Sequence, residues 1–213
     1  MSFPLMPCVV ANYDDPTLTF THSASDPSNL TTYTYSTVAL GTESADRKIL
    51  LAVHTNADGP GIPTSAVING VSATLLSNTT GLGLFIADVP TGTSVTITAT
   101  FNTTASRSAI GVWSLKGVSR PSDIFTNLST GTGTVASTSV TARRGDAVVA
   151  IVSHRNAADL VWTGGTERYD LTAGNLNHMS GADTKATADT TAQTFTSTSA
   201  SSQVWAAISA SFK

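Results

Sequence analysis

The sequence predicts an all-β protein, an antiparallel, jelly-roll-like β-sandwich with very little helix, and three observations support this. Short runs of Val, Ile, Thr and Tyr are interrupted by Gly, Pro, Asn and Asp, which is typical of strands and turns. Apolar and Thr side chains alternate over residues 94–102, as in a strand with one buried face. No window of a dozen residues combines helical periodicity with capping residues.

Two segments are apolar throughout, KILLAVH at 48–54 and AVVAIVSH at 147–154. A strand that lacks a polar face is covered on both sides. We therefore expect these segments to be central strands.

An internal repeat organises the chain. Residues 46–56 align without a gap on residues 146–156. Further landmarks follow in the same order, and the equivalent pairs are His54 and His154, Asn56 and Asn156, Asp88 and Asp183, Phe101 and Phe195, and Trp113 and Trp205. We predict two divergent β repeats, 36–117 and 134–213. We expect one composite sandwich or two halves in tight contact, in preference to separate tandem sandwiches, because a half of about eighty residues without disulfides buries only a modest core.

Two segments fall outside the repeats. Residues 118–133 are rich in Pro, Ser, Gly and Thr, which predicts a connector. Residues 1–35 find no counterpart in the second repeat and are predicted to be an N-terminal extension with one or two strands. This extension lies either across a neighbouring subunit or along the edge of its own domain.

Composition excludes several classes of function. Charged residues make up 12% of the chain and the net charge is -3, so there is no basic stripe to neutralise phosphates and we expect no nucleic-acid partner. Cys8 is the single cysteine, which rules out a disulfide within the chain. We expect no signal peptide and no membrane insertion, because the apolar runs are too short for either.

Chemical motifs are missing from the sequence. There is no nucleophile elbow, phosphate-binding loop or zinc-binding pattern, so we expect no enzyme, no cofactor and no metal site. His54 and His154 end their strands at equivalent repeat positions. A metal site there would require both to converge with a third ligand. Polar clusters at the strand ends, with Asn56 and Asn156 two residues further on, are the preferred interpretation.

Ligand or interface contacts are expected near the strand ends and the longer loop. Loop 56–64 exceeds its counterpart 156–160, and recognition in sandwiches usually resides in such loops. Four aromatic residues could stack on a sugar if exposed, although burial in the sandwich is the preferred interpretation for each: Trp162, Tyr169, Tyr33 and Tyr35. The candidate contact residues are His54, Asn56, Asp58, His154, Asn156, Trp162 and Tyr169.

Several phrases of the sequence resemble a known class of protein. They are TYTYSTVALGTESADRKILLAVH, VINGVSATLL, VPTGTSVTITATF and AIGVWSLKG. These resemble small β-sandwich virion proteins encoded in the structural-gene regions of tailed bacteriophages, prophages and gene transfer agents. The resemblance implies a head decoration, head fibre, tail or baseplate attachment subunit, made in the host cytoplasm and located in the virion. It also implies other virion proteins as partners and a homo-oligomer, with a trimer among the expected forms.

A second interpretation of the sequence remains open. The chain could be a carbohydrate-binding module or adhesin that recognises a host surface glycan. Exposed aromatic residues clustered in one loop-bounded groove would distinguish this function from a purely structural one.

Overall fold

The computed structural model describes residues 15–118, 124–155, 159–174 and 177–213, without the side chains of 190 and 191. Every element in these ranges is a β-strand and every pairing is antiparallel. This confirms the all-β, antiparallel fold with very little helix.

The strands divide into two sheets, one for each half of the chain. The first half contains β1 (Thr17–Ala39), β2 (Lys48–His54), β3 (Pro63–Ile68), β4 (Val71–Ser72), β5 (Thr74–Thr79), β6 (Leu82–Asp88) and β7 (Ser94–Lys116). The second half contains β8 (Ile124–Ala142), β9 (Ala147–Arg155), β10 (Val161–Thr163), β11 (Thr166–Thr172), β12 (Asn177–Lys185) and β13 (Thr190–Phe212).

Each half folds its sheet over into a jelly roll. Strand β7 pairs with β3 through its first part and with β2 through its second part, while β1 runs beside it through both. One layer therefore reads β1-β7-β2-β6-β5 and the other β1-β7-β3-β4, which is the strand order of a two-layered jelly roll. In the second half, β8 corresponds to β1 and β13 corresponds to β7. Strands β9, β12 and β11 lie in one layer and β10 in the other.

The core of the first half lies between its two layers. Ile49, Leu51 and Val53 of β2 share one buried cluster with Ile68 of β3 and Phe101 of β7. Strands β2 and β3 are not paired, so their residues meet because the layers face each other. The second half has a smaller interior, in which Val148 and Ala150 of β9 pack with Phe195.

The two halves pack against each other through the second faces of their central strands. Leu50 and Ala52 of β2 belong to one buried cluster with Val149 and Ile151 of β9. Strands β2 and β9 are thus covered on both sides, as their unbroken apolar runs predict. Burial of apolar surface stabilises by about 25 cal/mol per Å², so this continuous apolar contact stabilises the packing of one half on the other.

The domain boundaries differ from the sequence prediction. Residues 124–133 of the predicted connector form the first part of β8, and residues 17–35 of the predicted extension belong to β1. These two strands are counterparts, since each flanks the last long strand of its half. Strand β8 was missed because an edge strand needs backbone pairing but no buried side chains, so its Gly, Ser and Thr resemble a loop. Residues 1–14, which include Cys8, lie outside the described residues.

The repeat register is also one residue different from the gapless alignment. His54 lies on the interface-facing side of β2, whereas His154 lies on the interior side of β9 with Ala150 and Val152. The structural equivalent of His54 is therefore Ser153. A shift of one residue turns every side chain of a strand to the opposite face, and apolar residues on both faces hid the shift.

Trp113 and Trp205 are likewise not equivalent, because Trp113 packs in the interface and Trp205 lies opposite His154 on the interior face. The pairing of Phe101 with Phe195 agrees with the structure, as both lie in the interiors of their halves. Asp88 is an exposed partner of Lys48, whereas Asp183 is buried in the interface, so their proposed equivalence is wrong.

Candidate functional sites at the interface and in the second half

The predicted contact residues fall into separate places. His54 and Tyr169 meet at the interface between the halves, whereas His154 lies in the interior of the second half. Asn56 and Asp58 belong to an outer loop. His54 and His154 therefore do not converge on a common metal ion, and Asn156 lies outside the described residues.

A buried chain of hydrogen bonds links the halves. His54 Nδ1 lies 3.0 Å from Ser153 Oγ, and His54 Nε2 lies 2.6 Å from the hydroxyl oxygen of Tyr169. Ser153 in turn donates to the carbonyl oxygen of Gly81 over 3.0 Å. One proton arrangement satisfies all of them: Tyr169 donates to Nε2, Nδ1–H donates to Ser153, and Ser153 donates to Gly81.

Burial keeps this network uncharged. Desolvation lowers the pKa of His54 to about 3. It also raises the pKa of the Tyr169 hydroxyl well above its usual range. At neutral pH both groups are uncharged. Tyr169 donates one hydrogen bond, and His54 accepts that bond and donates another, so the network closes without an ion pair.

Serine beside histidine can form a nucleophile and its base, but this pair is not arranged for that chemistry. The Ser153 proton is directed at Gly81, and His54 donates to Ser153 instead of accepting from it. Both side chains are fully buried, so a substrate has no access to the hydroxyl. The geometry instead serves to join the two halves through hydrogen bonds.

Aromatic rings surround the hydrogen bond between His54 and Tyr169. Tyr169 stacks on Phe20 with ring centroids 5.7 Å apart and packs at a tilt against Trp113. Its ring passes so close to β7 and β12 that a Cβ on Gly111 would lie 2.3 Å, and one on Gly181 2.6 Å, from Tyr169 Cε1. Glycine at both positions is therefore required for Tyr169 to reach His54.

A charged pair completes the interface beside these rings. Trp113 donates from Nε1 to the Asp183 carboxylate over 2.8 Å, and Arg168 holds the same carboxylate with two hydrogen bonds of 2.9 and 2.7 Å. Asp183 is buried while Arg168 remains partly exposed. The buried carboxylate is thus compensated from both halves.

The outer loop makes a second contact between the halves. The carboxylate of Asp58 forms an ion pair with Arg155 at the end of β9. The Asn56 side chain accepts a hydrogen bond from the Asp58 backbone over 3.3 Å, which is a turn contact. Of the candidate contact residues in this loop, Asp58 therefore joins the halves and Asn56 shapes the turn.

The aromatic residues proposed for sugar stacking are largely occupied. Tyr169 is buried in the interface, which rules out its use on an outer surface. Trp162 is half-buried, donates from Nε1 to Ser180 Oγ over 2.7 Å, and packs edge-on against Phe195. An aromatic platform for a glycan is therefore not formed by this pair.

A cluster of ionisable groups lies where β9, β11 and β12 meet. Asp159, Asp170 and His178 place one ligand atom each within 4.8 Å of one another. His178 Nδ1 lies 3.2 Å from Asp170, its Nε2 lies 3.1 Å from Thr172 Oγ1, and the Leu160 amide donates to Asp170 over 2.9 Å. These are the residues among those described that could hold a metal ion.

His154 stands directly opposite His178 in the β9–β12 ladder, so both side chains lie on the same face. Its ring is completely buried, and neither nitrogen has a hydrogen-bond partner among the residues that the structure describes. Burial, and then the neighbouring His178, lower the pKa of His154 to about 4. A neutral imidazole with no partner is therefore placed beside the cluster.

Two grooves lie where the first strand of one half meets the strands of the other half. One of about 220 Å³ lies where the start of β8 crosses β5 and β6, with Leu76, Ile86 and Ile124 in its wall. The other, of about 470 Å³, lies where the start of β1 crosses β11 and β12, with Arg168 and Asp183 in its wall. The pseudo-symmetric grooves are thus apolar on one side and polar on the other.

Edge strand β8 presents three exposed apolar side chains. Phe125, Leu128 and Val135 are 42%, 40% and 46% exposed. No charged residue occurs from Ile124 to Ala142. Edge strand β1, in contrast, carries Asp26 and Pro27 near its middle.

Sequence reasoning missed Ser153, Asp170, His178 and Asp183. A hydroxyl in the otherwise apolar run AVVAIVSH was the available signal for Ser153. Asp170 and His178 flank the turn between β11 and β12, so recognition of that hairpin would have brought them together. The sequence alignment equated Asp183 with Asp88, and only the strand register of the structure shows that their positions differ.

Comparisons of the chain with models of protein families, with curated proteins and with solved structures gave no match. Among the described residues, no helix has the length and apolar character needed to cross a bilayer.

Proposed function

We propose that this protein is a structural subunit of a tailed bacteriophage or a phage-like particle, and that it acts by assembling with other virion proteins on the particle surface. The observation that carries the proposal is the long, uncharged edge of strand β8. The resemblance of the sequence to small virion β-sandwich proteins agrees with it.

The edge of β8 is suited to pairing with another chain. β8 pairs with β13 along one side, and no strand within the described ranges pairs with its other side. Edge strands that must stay unpaired are usually blocked by charges, Pro or bulges. β8 has no charge and no Pro, and it adds exposed Phe125 and Leu128. Backbone pairing supplemented by apolar contacts is the expected mode of attachment.

The rest of the molecule fits a passive, rigid building block. The halves share one continuous apolar interface, a closed hydrogen-bond chain and the Arg168–Asp183 pair. Ser153 and His54 are buried away from solvent. The Ser153 hydroxyl donates its proton to the Gly81 carbonyl oxygen, so His54 cannot accept it as a base. These features favour assembly over catalysis.

Particle composition tests the proposal. Virions purified from the source of this sequence are analysed by mass spectrometry, and the purified chain by size-exclusion chromatography with light scattering. We expect the chain in the particles at a fixed copy number and as a homo-oligomer in solution. Particles that lack the chain would overturn the proposal, and electron cryo-microscopy would show whether the head or the tail carries it.

A further inference from the structure

We propose that His154, His178, Asp170 and Asp159 form a binding site for one divalent transition-metal ion of the Zn²⁺ type, in the interior end of the second half. This site is independent of the assembly function proposed above. Each step of the argument uses a different group.

The first step is the convergence of three ligand atoms. One atom each from Asp159, Asp170 and His178 lies within 4.8 Å of the others, so small side-chain movements would bring all three to one metal ion. Asp170 and His178 are 15% and 12% exposed, so two of these groups are largely shielded from solvent. Two carboxylates would balance the charge of a divalent cation.

The second step is the unpartnered imidazole. His154 is 0% exposed, and both of its nitrogens lack a hydrogen-bond partner among the described residues. A buried polar group without a partner costs about 1–3 kcal/mol. His154 faces His178 directly across the ladder, where paired Cβ atoms lie about 5 Å apart. His154 is not among the three groups that already converge, so a turn of its side chain would have to bring a nitrogen to the metal ion, which would then give this ring the partner that it lacks.

The third step is the support behind the ligands. The Thr172 hydroxyl lies 3.1 Å from His178 Nε2, which leaves Nδ1 on the side of Asp170 for the metal. The Leu160 amide holds Asp170 Oδ2 over 2.9 Å, and Asp170 Oδ1 lies 3.2 Å from His178 Nδ1, so a metal ion would bind these last two atoms in place of their present contact. Metal sites are usually oriented by such outer contacts, whose loss weakens binding about 10- to 100-fold.

The donor set selects the class of metal. Two imidazoles and two carboxylates suit Zn²⁺ and its first-row neighbours, whereas Ca²⁺ and Mg²⁺ prefer oxygen ligands alone. Binding would tie the segment at Asp159 and the β11–β12 hairpin to the end of β9.

Equilibrium dialysis of the full chain against Zn²⁺, after removal of metal with a chelator, tests this proposal. The variants are Asp170→Asn, which keeps an acceptor for the Leu160 amide, and His178→Gln. The controls are Asp88→Asn in an exposed ion pair and His22→Gln on β1, which match the chemical changes at remote positions.

We expect one Zn²⁺ per wild-type chain and per control chain, and a melting temperature that rises with Zn²⁺. Affinity should fall at least about tenfold in Asp170→Asn and His178→Gln. Ca²⁺ should not compete. Absence of stoichiometric binding to the wild type, or equal binding by the variants and their controls, would overturn the proposal.

Discussion

Tyr169 donates a hydrogen bond from its hydroxyl group to Nε2 of His54, over 2.6 Å and across the interface between the two halves. Both side chains are fully shielded from water, so neither can replace a lost partner with solvent. This bond therefore ties the two jelly rolls together more strongly than an exposed bond of the same length would.

Removal of the Tyr169 hydroxyl should destabilise the protein. In Tyr169→Phe the buried Nε2 of His54 loses its donor, and we expect the free energy of unfolding to fall by about 1–3 kcal/mol. Urea denaturation followed by fluorescence measures it. Tyr35→Phe is the matched control, because the buried Tyr35 hydroxyl lies near Ser108 within the first half and makes no bond to the described residues of the second half. Equal losses in the two variants would contradict the role of the bond.

Gly111→Ala should displace Tyr169. The added Cβ would lie 2.3 Å from Tyr169 Cε1, far inside contact distance, so we expect a loss of about 1–3 kcal/mol from overpacking. A double-mutant cycle with Tyr169→Ala isolates the clash. The cost of Gly111→Ala should shrink once the ring is absent. An unchanged cost would show that the strain arises elsewhere.

Acidification should weaken the fold through His54. Its pKa is about 3 in the folded chain and near its ordinary value of 6.5 in the unfolded one. Between these values the unfolded state binds a proton that the folded state does not, so stability is complete above the higher value and falls as the pH is lowered. The slope approaches about 1.4 kcal/mol per pH unit.

Urea denaturation at several pH values, with a chelator present, measures this slope. His54→Gln cannot titrate, so its stability should vary with pH less steeply than that of the wild type by about one proton equivalent. The same slope in both proteins would mean that His54 is not responsible for the pH dependence.

A charge on the β8 edge should prevent self-association. Leu128→Lys places an ammonium group on a strand edge that has no charge, and we expect the proposed homo-oligomer to dissociate without loss of folding. Light scattering gives the mass and circular dichroism the fold. Leu30→Lys on β1 is the control, since Leu30 is 42% and Leu128 is 40% exposed. If only the Leu30→Lys variant dissociated, the contact between subunits would lie on β1 and not on β8.

The sequence contained enough information for the fold class but not for the register. The runs at 48–54 and 147–154 predicted central strands correctly, because burial on both faces removes the polar residues that an exposed face would need. The same property removed the alternation that fixes which residue faces which side. The alignment therefore matched His54 with His154, whereas the structural counterpart of His54 is Ser153.

The site was only partly foreseeable for a related reason. His54 and Tyr169 were both singled out, but their contact spans 115 positions along the chain and depends on how the halves pack. Packing between two sheets leaves no local pattern in either. The His178–Asp170 contact, in contrast, spans one hairpin and was missed because the turn between β11 and β12 was not recognised.

The continuous course of β1 and β7 through both layers of the first half determines how that half can open. Any fluctuation that separates one layer must disrupt a strand whose remaining hydrogen bonds belong to the other layer. The layers are therefore expected to unfold together, and protection from amide hydrogen exchange should be similar in the two paired parts of β7, 94–101 and 105–116, and lower at the exposed residues between them. In a subunit exposed to mechanical load, the half would resist as a single element until it yields all at once.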